Sequence, residues 1–360
     1  MATRAYKIPH KSLPAREGVR PLRRVSRTKC CLCNADGNVL YTDVYDRHWN
    51  VEGQWNLRQC PNAECKLVWL DPCPVPEDIP LMYAEYFTHD GGFQGAAEDL
   101  RNQLLPYISS NKTKSRRFSA DQIYWGLSRI SVFRDFAAGT LMWLQDAPPG
   151  EALDFGFGAG QLLIRLRDLG WKVAGVEFDP EVLAMAREEF GIDARASILD
   201  FPANKFDVIT LSHVIEHVPD PIATLRECAS RLKLGGRLVL ATPNTNSLGH
   251  KRFGANWRPL DPPRHLNLFS PENLTRCAEK AGLEVETART SARSACFSWY
   301  SSKSLIQKKK NAGRSEKAGI GVKASGALFQ LWEHYLVKKD EGEEIVLVAR
   351  RTQEKKLVFL

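Results

Sequence analysis

Residues 151–177 read EALDFGFGAGQLLIRLRDLGWKVAGVE, and this stretch decides the fold. It opens on a short apolar strand, Ala152 and Leu153, that ends in Asp154. Glycines follow at alternate positions, Gly156, Gly158 and Gly160. Leu162, Leu163, Leu166 and Leu169 then recur at helical spacing, and Gly170 is placed to stop that helix. A second strand, Lys172 to Val176, delivers Glu177 at its carboxyl end. Strand, glycine turn, helix, strand and acid make the nucleotide-binding half of a doubly wound sheet. The glycines let backbone approach a ligand closely, and the second acid suits the paired hydroxyls of a ribose.

A dinucleotide site asks for G-x-G-x-x-G/A, with a small third residue for helix packing and a pyrophosphate at the helix N-terminus. Here the spacing is G-x-G-x-G and the next position is Gln161. Asp154 also sets a negative charge beside the turn, which suits a cationic ligand better than a phosphate. With these residues the stretch resembles the class I S-adenosylmethionine (SAM) methyltransferases. The resemblance implies that Asp154, Gly156, Phe157, Gly158 and Gly160 surround the aminoacid end of SAM. It gives the ribose to Glu177, places Ser197 and Ile198 along the adenine, and adds Phe178 and Ser212 as further cofactor-binding residues. It further implies a Rossmann-like seven-stranded α/β sheet of order 3-2-1-4-5-7-6.

Outward from that core the chain divides into expected units. Residues 1–29 form a basic arm without periodicity, 30–75 a small cysteine module, and 76–148 a helical linker or lid ending at Pro148-Pro149-Gly150. Residues 149–360 form the nucleotide domain, with an insertion at 291–342. Of nine cysteines, five lie between 30 and 65. Cys30-x2-Cys33 and Cys60-x4-Cys65 have the spacing of a zinc knuckle, with Cys31 as an alternative ligand. Four thiolates leave no open coordination position, so the expected zinc is structural. Thiols with no secretory leader in the sequence point to the cytoplasm.

Downstream of the knuckle, a C-x-L-V-x-L-D-P phrase at 65–72 leads toward Tyr83 and Tyr86, as in bacterial methyltransferases with an N-terminal cysteine knuckle. The resemblance makes these tyrosines a lid over the cofactor; core packing is the other reading.

The most chemically loaded phrase is Ser212-His213-Val-Ile-Glu216-His217-Val-Pro-Asp220-Pro221. A helix starting here would set His213, Glu216 and His217 on one face at the carboxyl edge of the sheet. His265, in Asp261-Pro-Pro-Arg264-His265, joins them from a later loop. Such a group can act as general base or position an acceptor, or it can hold a divalent cation. Some quinone-pathway relatives use E-x-x-E-H for a metal, but this chain has His213 where they have an acid. Trp257 is expected as a stacking surface for the acceptor, and Arg258 or Arg264 as an anion clamp.

Net charge is +8, unevenly spread. Segments 1–29 and 303–323 carry +8 and +6, leaving −6 for the rest, so a basic groove for nucleic acid is not expected on the body. An RNA methyltransferase or RNA-binding protein is the first alternative, and an NAD-dependent oxidoreductase the second. No run of about 18 apolar residues predicts a membrane span. The amphipathic helix 327–337 can dock on its own domain, on a second subunit, or at a membrane surface. The favoured reading is a SAM-dependent methyltransferase acting on a small biosynthetic acceptor, a sugar or lipid-linked carbohydrate first.

Overall fold

The computed structural model describes residues 21–49, 51–83, 100, 103–105, 107, 108, 120–307 and 320–352. Tyr86 and most of the basic stretches therefore lie outside the described residues.

The chain first builds a small antiparallel sheet. β1 (Arg24–Val25) is followed by β2 (Asn38–Val44), β3 (Trp55–Gln59), β4 (Val68–Asp71) and β5 (Cys73–Pro74). β2, β3 and β4 pair in sequence, and β1 pairs with β5. Two short helices come next, α1 (Ala120–Leu127) and α2 (Ser131–Ala138).

The large sheet follows. β6 (Glu151–Phe155), α3 (Gln161–Asp168), β7 (Lys172–Val176), α4 (Pro180–Glu188) and β8 (Asp193–Arg195) make one wing. β9 (Phe206–Ser212), α5 (Pro221–Arg231) and β10 (Leu232–Pro243) begin the other. After β10 come α6 (Leu248–Phe253), β11 (Asn267–Leu268), α7 (Pro271–Lys280) and β12 (Leu283–Ser291). The insertion contributes α8 (Ala295–Gln307) and α9 (Ile320–Leu336), and β13 (Glu344–Arg351) closes the sheet.

In space the seven strands run β8-β7-β6-β9-β10-β13-β12, which is the expected order 3-2-1-4-5-7-6. β13 is antiparallel to both neighbours. Its N-terminal end therefore lies at the carboxyl edge of the parallel strands, where Glu344 pairs in register with Pro243 and Ser291.

Local rules account for these elements. Asp179 caps α4 by accepting from the Glu181 amide at 2.9 Å, with Pro180 at the first turn. Asp220 does the same for α5 from Ala223. Ser270 and Asn273 cap α7 reciprocally. β9 and the second half of β10, Leu238–Pro243, are almost wholly buried, as strands covered on both faces require.

The small sheet does not stand apart. β11 adds to it beside β4, Asn267 opposite Trp69 and Leu268 opposite Val68. Trp55, Leu57, Val68 and Leu70 pack with Phe253, Trp257, Leu260, Leu266 and Leu268 in one apolar cluster. The cysteine turns join the core of the large sheet through Leu67, Trp69, Phe269, Leu274 and Cys277.

Candidate active site

Three glycines carry the turn after β6 with positive φ: 71° at Gly156, 50° at Gly158 and 70° at Gly160. The left-handed region is open to glycine at little cost. At Gly156 a Cβ would also come within 2.6 Å of Val214, so the turn is close-packed against the segment after β9. Phe157 turns its ring into the layer between sheet and helices, beside Leu163 and Val182, leaving backbone at the turn.

Asp154 is buried at the end of β6 and accepts from Thr210 Oγ1 at 2.7 Å. Burial raises its carboxyl to about 7, the Thr210 bond opposes that shift, and the nearby Glu177 charge adds to it. Glu177, also buried, accepts from the Gly158 amide at 3.0 Å and from the Phe178 amide at 2.8 Å. Two neighbouring buried acids at a glycine turn repel each other, and a cation beside them relieves the cost. Phe178 is half-exposed, its ring 5.4 Å from that of Tyr83. Ser197 accepts from Leu199 just after β8, with Ile198 buried behind it, and Ser212 ends β9. The predicted cofactor residues thus come together along one edge of the sheet.

The histidine phrase folds differently from the expected helix. Only one 3-10 turn, Ile215–His217, precedes Pro219, and the helix waits for the Asp220 cap. His213 has φ 54°, in the left-handed region, and is not part of the group that Glu216, His217 and His265 form. Its Nε2 is 2.7 Å from Glu344 Oε1, and its Nδ1 is 3.3 Å from Glu216 Oε1. Arg293 Nε completes the group by donating to Glu344 Oε2 at 2.9 Å. Bonds to Glu216 and Glu344 outweigh desolvation and raise His213 to about 9; both acids are held at about 2. Burial works against each acid, and the His213 and Arg293 cations overcome it. The expectation of His213 as a general base is therefore corrected: an imidazolium bonded at both nitrogens has no lone pair to take a proton.

His217 and His265 face each other on the opposite side, ring centroids 4.6 Å apart at 74°. His217 Nδ1 lies 3.0 Å from the Arg264 carbonyl and 2.9 Å from Tyr83 Oη. His265 Nδ1 lies 2.6 Å from the Pro259 carbonyl. A carbonyl only accepts, so each Nδ1 carries the proton and each Nε2 keeps its lone pair. Burial lowers both, His265 to about 4, so both rings are neutral near pH 7. Glu216, held also by Thr242 Oγ1 at 2.9 Å, joins them: ligand atoms of Glu216, His217 and His265 all lie within 4.8 Å of one another.

Trp257, Arg264 and Arg258 are also corrected. Trp257 is 1% exposed, stacks near His250 and donates its indole N–H to Glu343, so it offers no open face. Arg264 is wholly buried, gripping Asp261 at 2.8 and 3.1 Å and Asp46 at 2.7 Å. Arg258 is paired with Asp261 at 2.9 Å. Trp257, Leu260 and Leu266 of the loop from 254 to 266 pack with the small sheet, and Arg258 and Arg264 are paired internally.

The four predicted cysteines converge. Cys30 and Cys65 sulfurs are 3.6 Å apart, and those of Cys33 and Cys60 are 3.2 Å apart. Tetrahedral thiolates on zinc, with Zn–S about 2.3 Å, stand ~3.8 Å from one another. A disulfide needs about 2.05 Å. The donor set fits zinc, and Cys31 is not in the cluster. Asn273 of α7 donates to the Cys65 carbonyl at 2.9 Å, tying the knuckle to the large domain.

Sequence reasoning missed Thr210, Thr242, Arg293 and Glu344. Only Glu344 carried a signal, an acid opening the last strand of a sheet whose edge was already assigned.

Residues 128–288 match the family described as a methyltransferase domain. The ubiquinone biosynthesis O-methyltransferase of Xanthomonas axonopodis pv. citri is 30% identical over 151 residues, 38% of this chain. That of Xanthomonas campestris pv. campestris is 39% identical over 154 residues, 39% of this chain. The chain spans 63% and 64% of the length of these two relatives. Among solved structures, a SAM-dependent methyltransferase from Archaeoglobus fulgidus aligns with TM-score 0.41 at 17% identity, over 74% of this chain and 99% of that one. One from Mesorhizobium loti aligns with TM-score 0.41 at 16% identity, over 60% and 98%.

Proposed function

We propose that this chain, whose residues 128–288 match a methyltransferase domain, is a class I SAM-dependent methyltransferase that transfers a methyl group to a hydroxyl of a small acceptor. One observation carries the reading: Asp154 and Glu177 are buried side by side at the glycine turn, a pair that fits a cationic nucleoside. When bound, SAM supplies a methyl group on a sulfonium, activated for displacement by a nucleophile.

The chain's own residues orient and desolvate the reactants. Asp154 meets the positive end of the cofactor, and Glu177 exchanges its loop amide for the ribose hydroxyls. Tyr83 and Phe178 screen the opening. At the acceptor, His265 Nε2 or His217 Nε2 takes the hydroxyl proton, each ring held in the right tautomer by a backbone carbonyl. His213 positions Glu216 rather than acting on the acceptor.

An oxygen nucleophile is favoured by the name of the relatives, O-methyltransferase. A carbohydrate acceptor loses its expected stacking face and anion clamp, because Trp257 and Arg264 are buried. Glu216, His217 and His265 also fit a divalent cation, which would supply Lewis acidity toward the same hydroxyl. The zinc assigned to Cys30, Cys33, Cys60 and Cys65 is structural in this reading.

Calorimetric titration with S-adenosylhomocysteine tests the core of the proposal. Binding is expected, with a loss of about tenfold or more in Asp154→Ala or Glu177→Ala. Unchanged affinity in both variants, or binding of NADH instead, overturns it.

A further inference from the structure

The insertion helix α9 is built inside out. Its inward side holds Gly326, Phe329 and Glu333. A Cβ at Gly326 would lie 2.8 Å from the Cys296 carbonyl, Phe329 stacks on Trp299 with centroids 4.2 Å apart, and Glu333 accepts from the Glu343 amide at 2.6 Å. A carboxylate thus points into the protein, while the large apolar residues point away. Leu328 is 68% exposed, Leu331 44%, Trp332 46%, Tyr335 53% and Leu336 74%. Their spacing, i, i+3, i+4, i+7 and i+8, puts all five on one stripe. Ile130, also exposed, lies beside it, since its neighbour Ser131 donates to Tyr335 Oη at 3.4 Å. Single exposed apolar residues need no explanation, but a continuous stripe does.

We propose that this face rests on an anionic lipid surface, with α9 lying in the plane of the interface. Between Ile320 and Leu336 the one acid is Glu333, and it is buried, so the exposed stripe carries no negative charge. Exposed Lys323 precedes the stripe, and exposed Lys338 and Lys339 follow it, with one exposed acid, Asp340, after them. Trp332 and Tyr335 have apolar bodies with polar tips, the side chains favoured at headgroup depth. The sequence from 303 to 323 carries seven basic residues against Glu316 and enters α9 directly. Anionic headgroups complement the exposed lysines, Lys323, Lys338 and Lys339, at about 1 kcal/mol per basic residue near the surface. A second copy lacks that complement: a two-fold contact through this stripe would set Lys323, Lys338 and Lys339 against the same lysines. No described helix is long and apolar enough to cross a membrane, so the helix lies on the surface rather than spanning it.

The test is flotation of the full chain with vesicles of phosphatidylcholine alone and with added phosphatidylglycerol. Binding is expected to the second kind and to weaken with salt. Leu331→Gln/Trp332→Gln and Lys338→Glu/Lys339→Glu are each expected to bind about tenfold more weakly or worse. Melting temperature and S-adenosylhomocysteine affinity should stay at the parent values, because these side chains are exposed. The proposal is overturned by absence of binding, by equal binding of the apolar variant, or by a parent dimer that the apolar variant converts to monomer.

Discussion

His213 Nε2 and Glu344 Oε1 stand 2.7 Å apart, joining the turn after β9 to the start of β13 across 131 residues of sequence. The bond ties the histidine phrase to the antiparallel strand that follows the insertion. Glu344 also takes Arg293, so the first residues of the insertion are anchored at the same point.

This pair makes stability depend on pH. Partnership raises His213 to about 9 from an ordinary value of 6.5. Its contribution is therefore complete below pH 6.5 and lost as pH rises through 9. Urea unfolding followed from pH 6 to pH 10 should show this decline, and His213→Gln should flatten it. Glu344→Gln deprives the Arg293 and His213 cations of their shared carboxylate and should cost about 3 kcal/mol. A parent protein with flat stability across the window would remove the imidazolium from the account.

Cofactor affinity should fall on the acid side of neutrality. Free Asp154 sits at about 7, and a cationic ligand favours its ionised form. Below pH 7 binding must expel a proton from this carboxyl, so affinity for SAM weakens as pH drops. Titrations at pH 8 and pH 6 in two buffers of different ionisation enthalpy measure the proton released. Asp154→Asn should bind more weakly at pH 8 and show no such proton.

Methyl transfer should respond on a separate pH limb. His265 stays neutral down to about 4, so the turnover number should hold well below the pH at which cofactor affinity declines. His265→Gln should lower turnover by about a hundredfold with little change in S-adenosylhomocysteine affinity. Tyr83→Phe removes one contact to His217 and should have a smaller effect. An affinity loss equal to the turnover loss in His265→Gln would make the residue structural.

Removing one partner of a buried ion triad is costly. Arg264 satisfies Asp46 and Asp261 at once, and all three are buried. Arg264→Met should destabilise by about 3–5 kcal/mol, read by denaturant melts. A loss below about 1 kcal/mol would mean that the two acids take up protons or water at no cost.

Zinc should be stoichiometric and should leave with loss of structure. Cys60→Ser breaks the tetrahedron, and Asn273 carries the disturbance into α7. Metal analysis should show the zinc gone and the melting point lowered, whereas Cys228→Ser, away from the cluster, should keep its metal. Full zinc content in Cys60→Ser would reject the assignment.

Much of this architecture could be read from the chain because its signals are local. The segment 151–177 states strand, turn, helix and acid within one continuous run, and Cys30, Cys33, Cys60 and Cys65 announce themselves by spacing. What could not be read depends on distant partners. Trp257 and Arg264 sit in a polar loop typical of an open site, yet their partners Glu343 and Asp46 are 86 and 218 residues away. The role of His213 was hidden for the same reason, since Glu344 lies beyond the whole insertion. Local chemistry put His213 on a helix with Glu216 and His217; Pro219 and the Asp220 cap postponed that helix and let the backbone turn.

The ladder between β4 and β11 reaches further than its two residue pairs suggest. Because Asn267 and Leu268 hydrogen-bond into the knuckle's sheet just after His265, the small metal-binding unit cannot be treated as a detachable accessory. A graft that exchanges residues 21–75 for those of another protein would have to carry the stretch 254–269 with it. The two parts of the sequence therefore constrain each other's variation, and the loop that bears His265 inherits its shape from a unit encoded nearly two hundred residues earlier.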